Sequence, residues 1–165
     1  MKYYTGVGSR KVPSVTARFM RELAVRLNRL GYILRSGGAE GADSAFEVGA
    51  GEKKEIWRAD DATQEAMDIA ARYHGAWHLC SDYAKKLHGR NAFQVLGRDL
   101  ITPSEFVICW TPDGITSHAD RTIKTGGTGT AISIASEHGI PVYNLNNKES
   151  TERFKLFARA RCIGN

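Results

Sequence analysis

Three short stretches hold the residue types that bind anions. They are Gly6-Val7-Gly8-Ser9-Arg10, Ser36-Gly37-Gly38-Ala39-Glu40-Gly41-Ala42-Asp43 and Thr125-Gly126-Gly127-Thr128-Gly129-Thr130. Glycine lets the backbone turn with positive φ, and it lets a ligand reach main-chain N–H groups with no Cβ in the way. A helix that follows such a turn aims its unsatisfied N–H groups and the positive end of its dipole at the same point. Phosphate is the anion such corners meet most often. Arg10 could clamp it in bidentate fashion. Arg90 and Asn91 supply a second cation and an amide, and Asp43 in the first turn of its helix serves either the dipole or a ribose.

The elements that must position these groups alternate. Lys2 to Val7 is strand-like. A helix follows from Pro13 and Ser14, with Val15, Phe19, Leu23, Leu27 and Leu30 on one side, arginines opposite and Gly31 as its stop. Tyr32-Ile33-Leu34 reads as a buried strand ahead of the second glycine stretch, and a helix opens at Ala42 and runs to about Gly49. Lys54 to Trp57 is a third strand, and Thr63 to Tyr73 is helical. His74 to His78 is a break. Tyr83 to Leu87 reads as a turn or two of helix, and His88 to Gly97 as a separate helix, which makes Asn91 a candidate cap. Glu105 to Trp110 is a near-continuous apolar run, hence a buried strand. Thr111 to Lys124 is a polar segment long enough for a flap. Then come the helix through Ala131 to His138, a last strand in Gly139 to Leu145, and a closing helix from Lys148 to about Arg161, within a C-terminal segment 145–165. Strands alternating with helices imply an α/β, Rossmann-like doubly wound fold: a mostly parallel sheet with helices on both faces. Ligands of such sheets sit at the carboxyl ends of the strands, where all three glycine stretches would gather.

Composition narrows the partners. The 165 residues suit one domain, and 42% hydrophobic with 25% charged content is that of a globular chain. No apolar run approaches the roughly 18 residues of a membrane span. The start leads straight into strand-like Tyr3-Tyr4-Thr5, so neither signal peptide nor membrane partner is expected. Three cysteines without paired spacing fit a reducing, cytoplasmic compartment. The net charge of +5 permits an anionic partner. Arginines 18, 21, 26 and 29 on one helix, with Arg153, Lys155, Arg159 and Arg161 on the tail, form either solvated faces or a nucleic-acid track. His74, His78 and Cys80 are metal-ligating types, but Gly75 breaks helical spacing and no fourth ligand lies near, so no metal is expected. Trp57, Trp77 and Trp110 are core packing or base-stacking residues.

Two common nucleotide motifs are absent. No glycine is followed by Lys-Ser/Thr as in a P-loop, and Gly6-Val7-Gly8 lacks the third dinucleotide-fold glycine because position 11 is Lys11. No cofactor is expected.

The first half, Gly6-x-Gly8-Ser9-Arg10 with Ser36-Gly37-Gly38-Ala39-x-Gly41-x-Asp43, resembles the Rossmann-like domain of the DprA/Smf family. The second half, His88-Gly89-Arg90-Asn91 with Thr125 to Thr130, is similar to the "lonely guy" (LOG) and lysine-decarboxylase-like proteins. Both belong to the SLOG superfamily of nucleotide-ligand-binding domains, and the resemblance spans roughly residues 3 to 145. The arrangement is most similar to small DprA-like proteins of phages and mobile elements. The resemblance implies a nucleotide or nucleotide-derived ligand held by Gly8, Ser9, Arg10, Ser36, Gly37, Gly38, Gly41, Asp43, Arg90, Asn91, Gly126, Gly127, Thr128, Gly129 and Thr130, and a homo-oligomer. LOG hydrolases carry a catalytic glutamate a few residues beyond the glycine loop. Here Ser133 or a neighbour occupies that place, and Glu137 comes a turn later. N-glycosidic hydrolysis needs a carboxylate beside the ribose. The first expectation is therefore a non-catalytic binder or sensor, one that could sequester a nucleotide signal. A nucleoside 5′-monophosphate phosphoribohydrolase stays open, with Arg90, Asp43 and Glu40 as catalytic candidates and Glu47, Asp113 or Asp120 as substitute carboxylates. So does a DprA-like single-stranded DNA-binding module.

Overall fold

The computed structural model describes residues 1–164. The strands are β1 (Lys2–Gly6), β2 (Tyr32–Ser36), β3 (Lys54–Ile56), β4 (Val107–Cys109) and β5 (Val142–Asn144). The helices are α1 (Ser14–Arg29), α2 (Ala42–Ala50), α3 (Gln64–Ala71), α4 (Asp82–Leu96), α5 (Thr128–Glu137) and α6 (Lys148–Ala160). The strands form one sheet in the order β3-β2-β1-β4-β5, and each neighbouring pair is parallel. The fold is α/β and Rossmann-like, as expected.

The chain winds outward from β1 through β2 to β3, then returns to β4 on the other side of β1. Crossovers between parallel strands keep one hand, so reversing direction moves the helices to the opposite face. The two apolar cores record this. One gathers Met20, Leu23 and Leu27 of α1, Phe46 of α2 and Phe154 of α6 against Tyr4, Leu34, Phe106 and Ile108. The other gathers Ala66 of α3, Phe93 and Val95 of α4 and Ile132 and Ile134 of α5 against Val107, Cys109 and Val142. Alternate residues of each strand serve opposite faces, as the pleat requires.

Three readings of the sequence need correction. Val15 and Phe19 are not core: they are 76% and 39% exposed, and the buried stripe of α1 is Met20, Leu23, Ala24 and Leu27. Residues four apart drift by about 40° around a helix, so a row begun at Val15 leaves the buried side. Second, the helices read on either side of His88 are one. The Ser81 hydroxyl caps α4 by accepting from Ala84 N–H at 3.1 Å, and the helix ends at Gly97 with φ 83°. Gly89 costs helix propensity but lets Met67 of α3 approach, since a Cβ there would lie 2.6 Å from Met67 Cγ. Asn91 is thus mid-helix and caps nothing. Third, the segment 111–124 is pinned. Asp113 accepts from Thr122 (2.7 Å) and Thr125 hydroxyls, Asn144 donates to Ile115 O at 2.9 Å and Asn147 to Gly114 O at 3.1 Å. Among the described residues, no helix is long and apolar enough to cross a membrane.

The α1–α2 contact rests on Gly49, where a Cβ would run into the Arg21 carbonyl and, at 2.7 Å, into Ala24 Cβ. Gly49→Ala gains helix propensity but overpacks the joint, so it should destabilise the chain by about 1–2 kcal/mol net. Gly75→Ala, with nothing within 4 Å of the new methyl, is the control. Urea unfolding measures both, and an unchanged midpoint for Gly49→Ala would contradict this packing.

Candidate functional site

The turn after β1 is wedged between two elements. A Cβ at Gly8 would lie 2.7 Å from Ala42 Cβ and 2.9 Å from Trp110 O. Ser9 holds this turn together: its N–H donates to Trp110 O at 3.0 Å, its carbonyl accepts from Ala42 N–H at 3.3 Å, and its hydroxyl accepts from Lys11 N–H at 3.0 Å. Arg10 and Lys11 stand exposed beyond it.

The turn after β2 is mostly internal. Ser36 is buried and donates to Gly6 O at 2.6 Å, strapping β2 to β1. Gly37 is buried, and its carbonyl accepts from Arg90 Nη1 at 2.8 Å. Gly38 and Gly41 have φ of 67° and 83°. Gly38 lies against the Arg58 guanidinium, and a Cβ on Gly41 would meet Ser9 O at 2.7 Å.

The third corner opens α5. Gly126 turns with φ 67°, and Gly127 and Thr128 lead into the helix, where Gly129 N–H and Thr130 N–H donate back to Gly126 O and Gly127 O at 3.1 and 3.4 Å. Gly129 backs onto Arg121. Thr130 is buried, its hydroxyl 2.8 Å from His88 Nδ1 and accepting from Arg121 Nη2 at 3.1 Å.

These corners and one face of α4 enclose a cleft of about 450 Å³ at the carboxyl ends of the strands. From β1 it takes Gly8, Ser9, Arg10 and Lys11, from β2 Ala39 and Asp43, from α4 His88, Arg90, Asn91 and Gln94, and from the α5 corner Lys124, Gly126, Gly127 and Thr128. Of the residues expected to bind, Ser36, Gly37, Gly38, Gly41, Gly129 and Thr130 do not line it; each is engaged in holding the corners together. Glu40 is exposed and outside it, and so is Glu137. Ser133, at the place of the LOG glutamate, is buried against His118 Nδ1 at 2.8 Å. Trp57 packs on Phe93 with ring centroids 4.9 Å apart, and Trp110 packs against the α1–α2 core. The arginines of α1 are exposed.

Lys11, Lys124, His88 and Gln94 also line the cleft, and the sequence motifs do not assign them to the site. Gln94 lies three and four residues beyond Asn91 and Arg90, so helical periodicity points to it once α4 is taken as one helix.

Burial dominates the electrostatics. Asp43 is pushed up to about 6 by burial, partly offset by the Ala39 N–H, the Arg90 charge and the amides of Gly37 and Gly8. Burial likewise works against the charge of Arg90, with Asp43 the main offset. His88 is pulled down to about 4 by burial and then by His74, Arg121 and Arg90, so it is neutral near pH 7. Two buried polar atoms on residues that line this cleft, Arg90 Nε and Gln94 Oε1, have no partner among the described residues.

No protein-family model matches the chain, and no curated protein matches it. Among solved structures it is similar to DNA processing protein A from Helicobacter pylori, described for its unique single-stranded DNA binding mode. The two are 17% identical, the match covers 99% of this chain and 74% of the other, and the TM-score is 0.55. The fold is DprA-like.

Asp43 gives a testable pH signature. Its folded value, about 6, lies above the unfolded 3.8, so the native state holds the proton more tightly. The contribution of Asp43 to stability is then highest below about pH 4, falls as pH rises to about 6, and levels off above. The loss is of order 2–3 kcal/mol. In Asp43→Asn this step should vanish, read as the difference between wild-type and variant urea unfolding from pH 4 to 8. Parallel curves would mean that the carboxylate ionises normally.

Proposed function

We propose that the cleft binds a nucleotide or nucleotide-derived phosphorylated ligand and holds it without breaking its bonds. The observation that carries this reading is a cleft that receives the α5 N-terminus and is lined by Arg90 and Gln94, whose buried Nε and Oε1 atoms have no partner among the described residues. Buried polar atoms are nearly always satisfied, so such a pair calls for a polar guest or ordered water. A phosphate fits at Gly127 and Thr128, with Lys124 and Arg10 supplying charge. Gln94, Asn91 and Asp43 then face the ribose or base. A volume near 450 Å³ falls in the range of small-molecule sites.

Binding rather than hydrolysis is favoured by the acid inventory. Asp43 is the one acidic side chain among the described residues lining the cleft. Glycosidic hydrolysis by the usual route takes two carboxylates.

A second reading is favoured by the exposed Arg10, Lys11 and Lys124 around the mouth, together with the likeness to a protein described for single-stranded DNA binding. In that reading the cleft takes one nucleotide of a strand and the cations hold flanking phosphates.

Calorimetry with nucleoside mono-, di- and triphosphates, beside anisotropy with a labelled oligothymidylate, separates the two. Free nucleotides should bind, Arg10→Ala should weaken them about tenfold, and the nucleotide should emerge intact by chromatography. Oligonucleotide binding that falls steeply with salt while free nucleotides fail would select the strand reading. Binding of neither would end both.

A further inference from the structure

The connection between α3 and α4 and the second turn of α4 bring together three ligating side chains, of which only His88 also lines the cleft. The sequence suggested His74, His78 and Cys80. The structure replaces His78, which is exposed, with His88 from the second turn of α4. One ligand atom each from His74, Cys80 and His88 lies within 4.8 Å of the others, all three residues being half-buried. Cys80 Sγ is 3.9 Å from His74 Nδ1 and 3.8 Å from Nε2, and the two imidazole centroids are 4.5 Å apart. In a tetrahedral zinc site, with Zn–N near 2.1 Å and Zn–S near 2.3 Å, donors stand roughly 3.4–3.6 Å apart. The donor separations are therefore within about 1.4 Å of ligating distances, and two of the three donors, His74 and Cys80, lie outside the helices.

Two further observations point the same way. His88 Nδ1 is 2.8 Å from the Thr130 hydroxyl, an arrangement that fixes the ring and leaves Nε2 for a metal. His74 and His88 also border a second cavity, which Tyr73, His118 and Arg121 help to line, so a fourth position has room for water or an anion. The same Arg121 opposes a dication, which makes the thiolate charge of Cys80 essential.

We propose that His74, Cys80 and His88 bind a divalent ion of the zinc class, with the fourth coordination position open to that cavity. Two imidazoles and one thiolate suit a borderline-soft ion, and three protein donors with one open place characterise reactive rather than purely structural zinc sites. On binding, the Cys80 S–H bond is exchanged for a metal–sulfur bond and the thiol proton leaves to solvent. The ion would tie the α3–α4 connection to α4 at the cleft wall itself, since His88 lines both cavities.

The test uses the full chain, stripped with chelator and titrated with Co²⁺. One equivalent should produce a thiolate-to-metal band in the near ultraviolet and intense tetrahedral visible bands, and one equivalent of Zn²⁺ should bleach them. Cys80→Ser should abolish the near-ultraviolet band, His88→Ala should lose stoichiometric binding, and Thr130→Val should weaken it about tenfold. His78→Ala should change nothing. If His88→Ala does not fold by circular dichroism, Cys80→Ser with the spectrum decides alone. Absence of stoichiometric Co²⁺ binding, binding unchanged in Cys80→Ser, or loss on His78→Ala would each overturn the assignment.

Discussion

The sheet changes winding direction between β1 and β4, and the site depends on that reversal. Helices leave β1 toward one face and β4 toward the other, so the loops above these two strands part instead of covering each other. The gap is narrow because β1 and β4 are hydrogen-bonded neighbours. Ser9 N–H bonded to Trp110 O then ties the two parting loops together at the floor. Everything proposed about ligand binding rests on this opening.

The glycine corners meet their steric demands mainly against the protein itself. Gly37, Gly41 and Gly129 are small because Gln94, the Ser9–Arg10 backbone and Arg121 occupy the space a side chain would need. The polar side chains on the cleft wall come largely from α4, whose successive turns contribute His88, Arg90, Asn91 and Gln94. In the proposed ligand-binding role the corners would act as a frame and α4 as the reading face. The same helix carries His88 to the ligating cluster with His74 and Cys80, so cleft and cluster share one rigid support.

Charge is placed sparingly. Asp43 and Arg90 are both penalised by burial and offset each other in part, which leaves the interior of the cleft close to neutral. The free positive charges, Arg10, Lys11 and Lys124, stay at the mouth in water. On the proposed reading, such an arrangement would draw an anion inward by the rim and the α5 dipole.

Local sequence by itself determined the order of elements and their kind. Apolar runs such as Phe106 to Cys109 have few fates other than a buried strand, and adjacent glycines after a strand have few uses other than a sharp turn into a helix. It also determined that three such turns lie on strand-to-helix connections, and hence on the same end of a parallel sheet. Tertiary structure alone decided which residues face the cleft. Ser36 and Thr130 turn inward because the neighbouring Gly6 carbonyl and His88 ring require partners there, and α4 runs unbroken through Gly89 because Met67 fills the space beside it. It alone brought His88 to His74 and Cys80, across the break at Gly75, in place of the nearer His78. The reason is common to all: turns and strands are chosen by interactions between chain neighbours, whereas facing and pairing are chosen by contacts with residues tens of positions away.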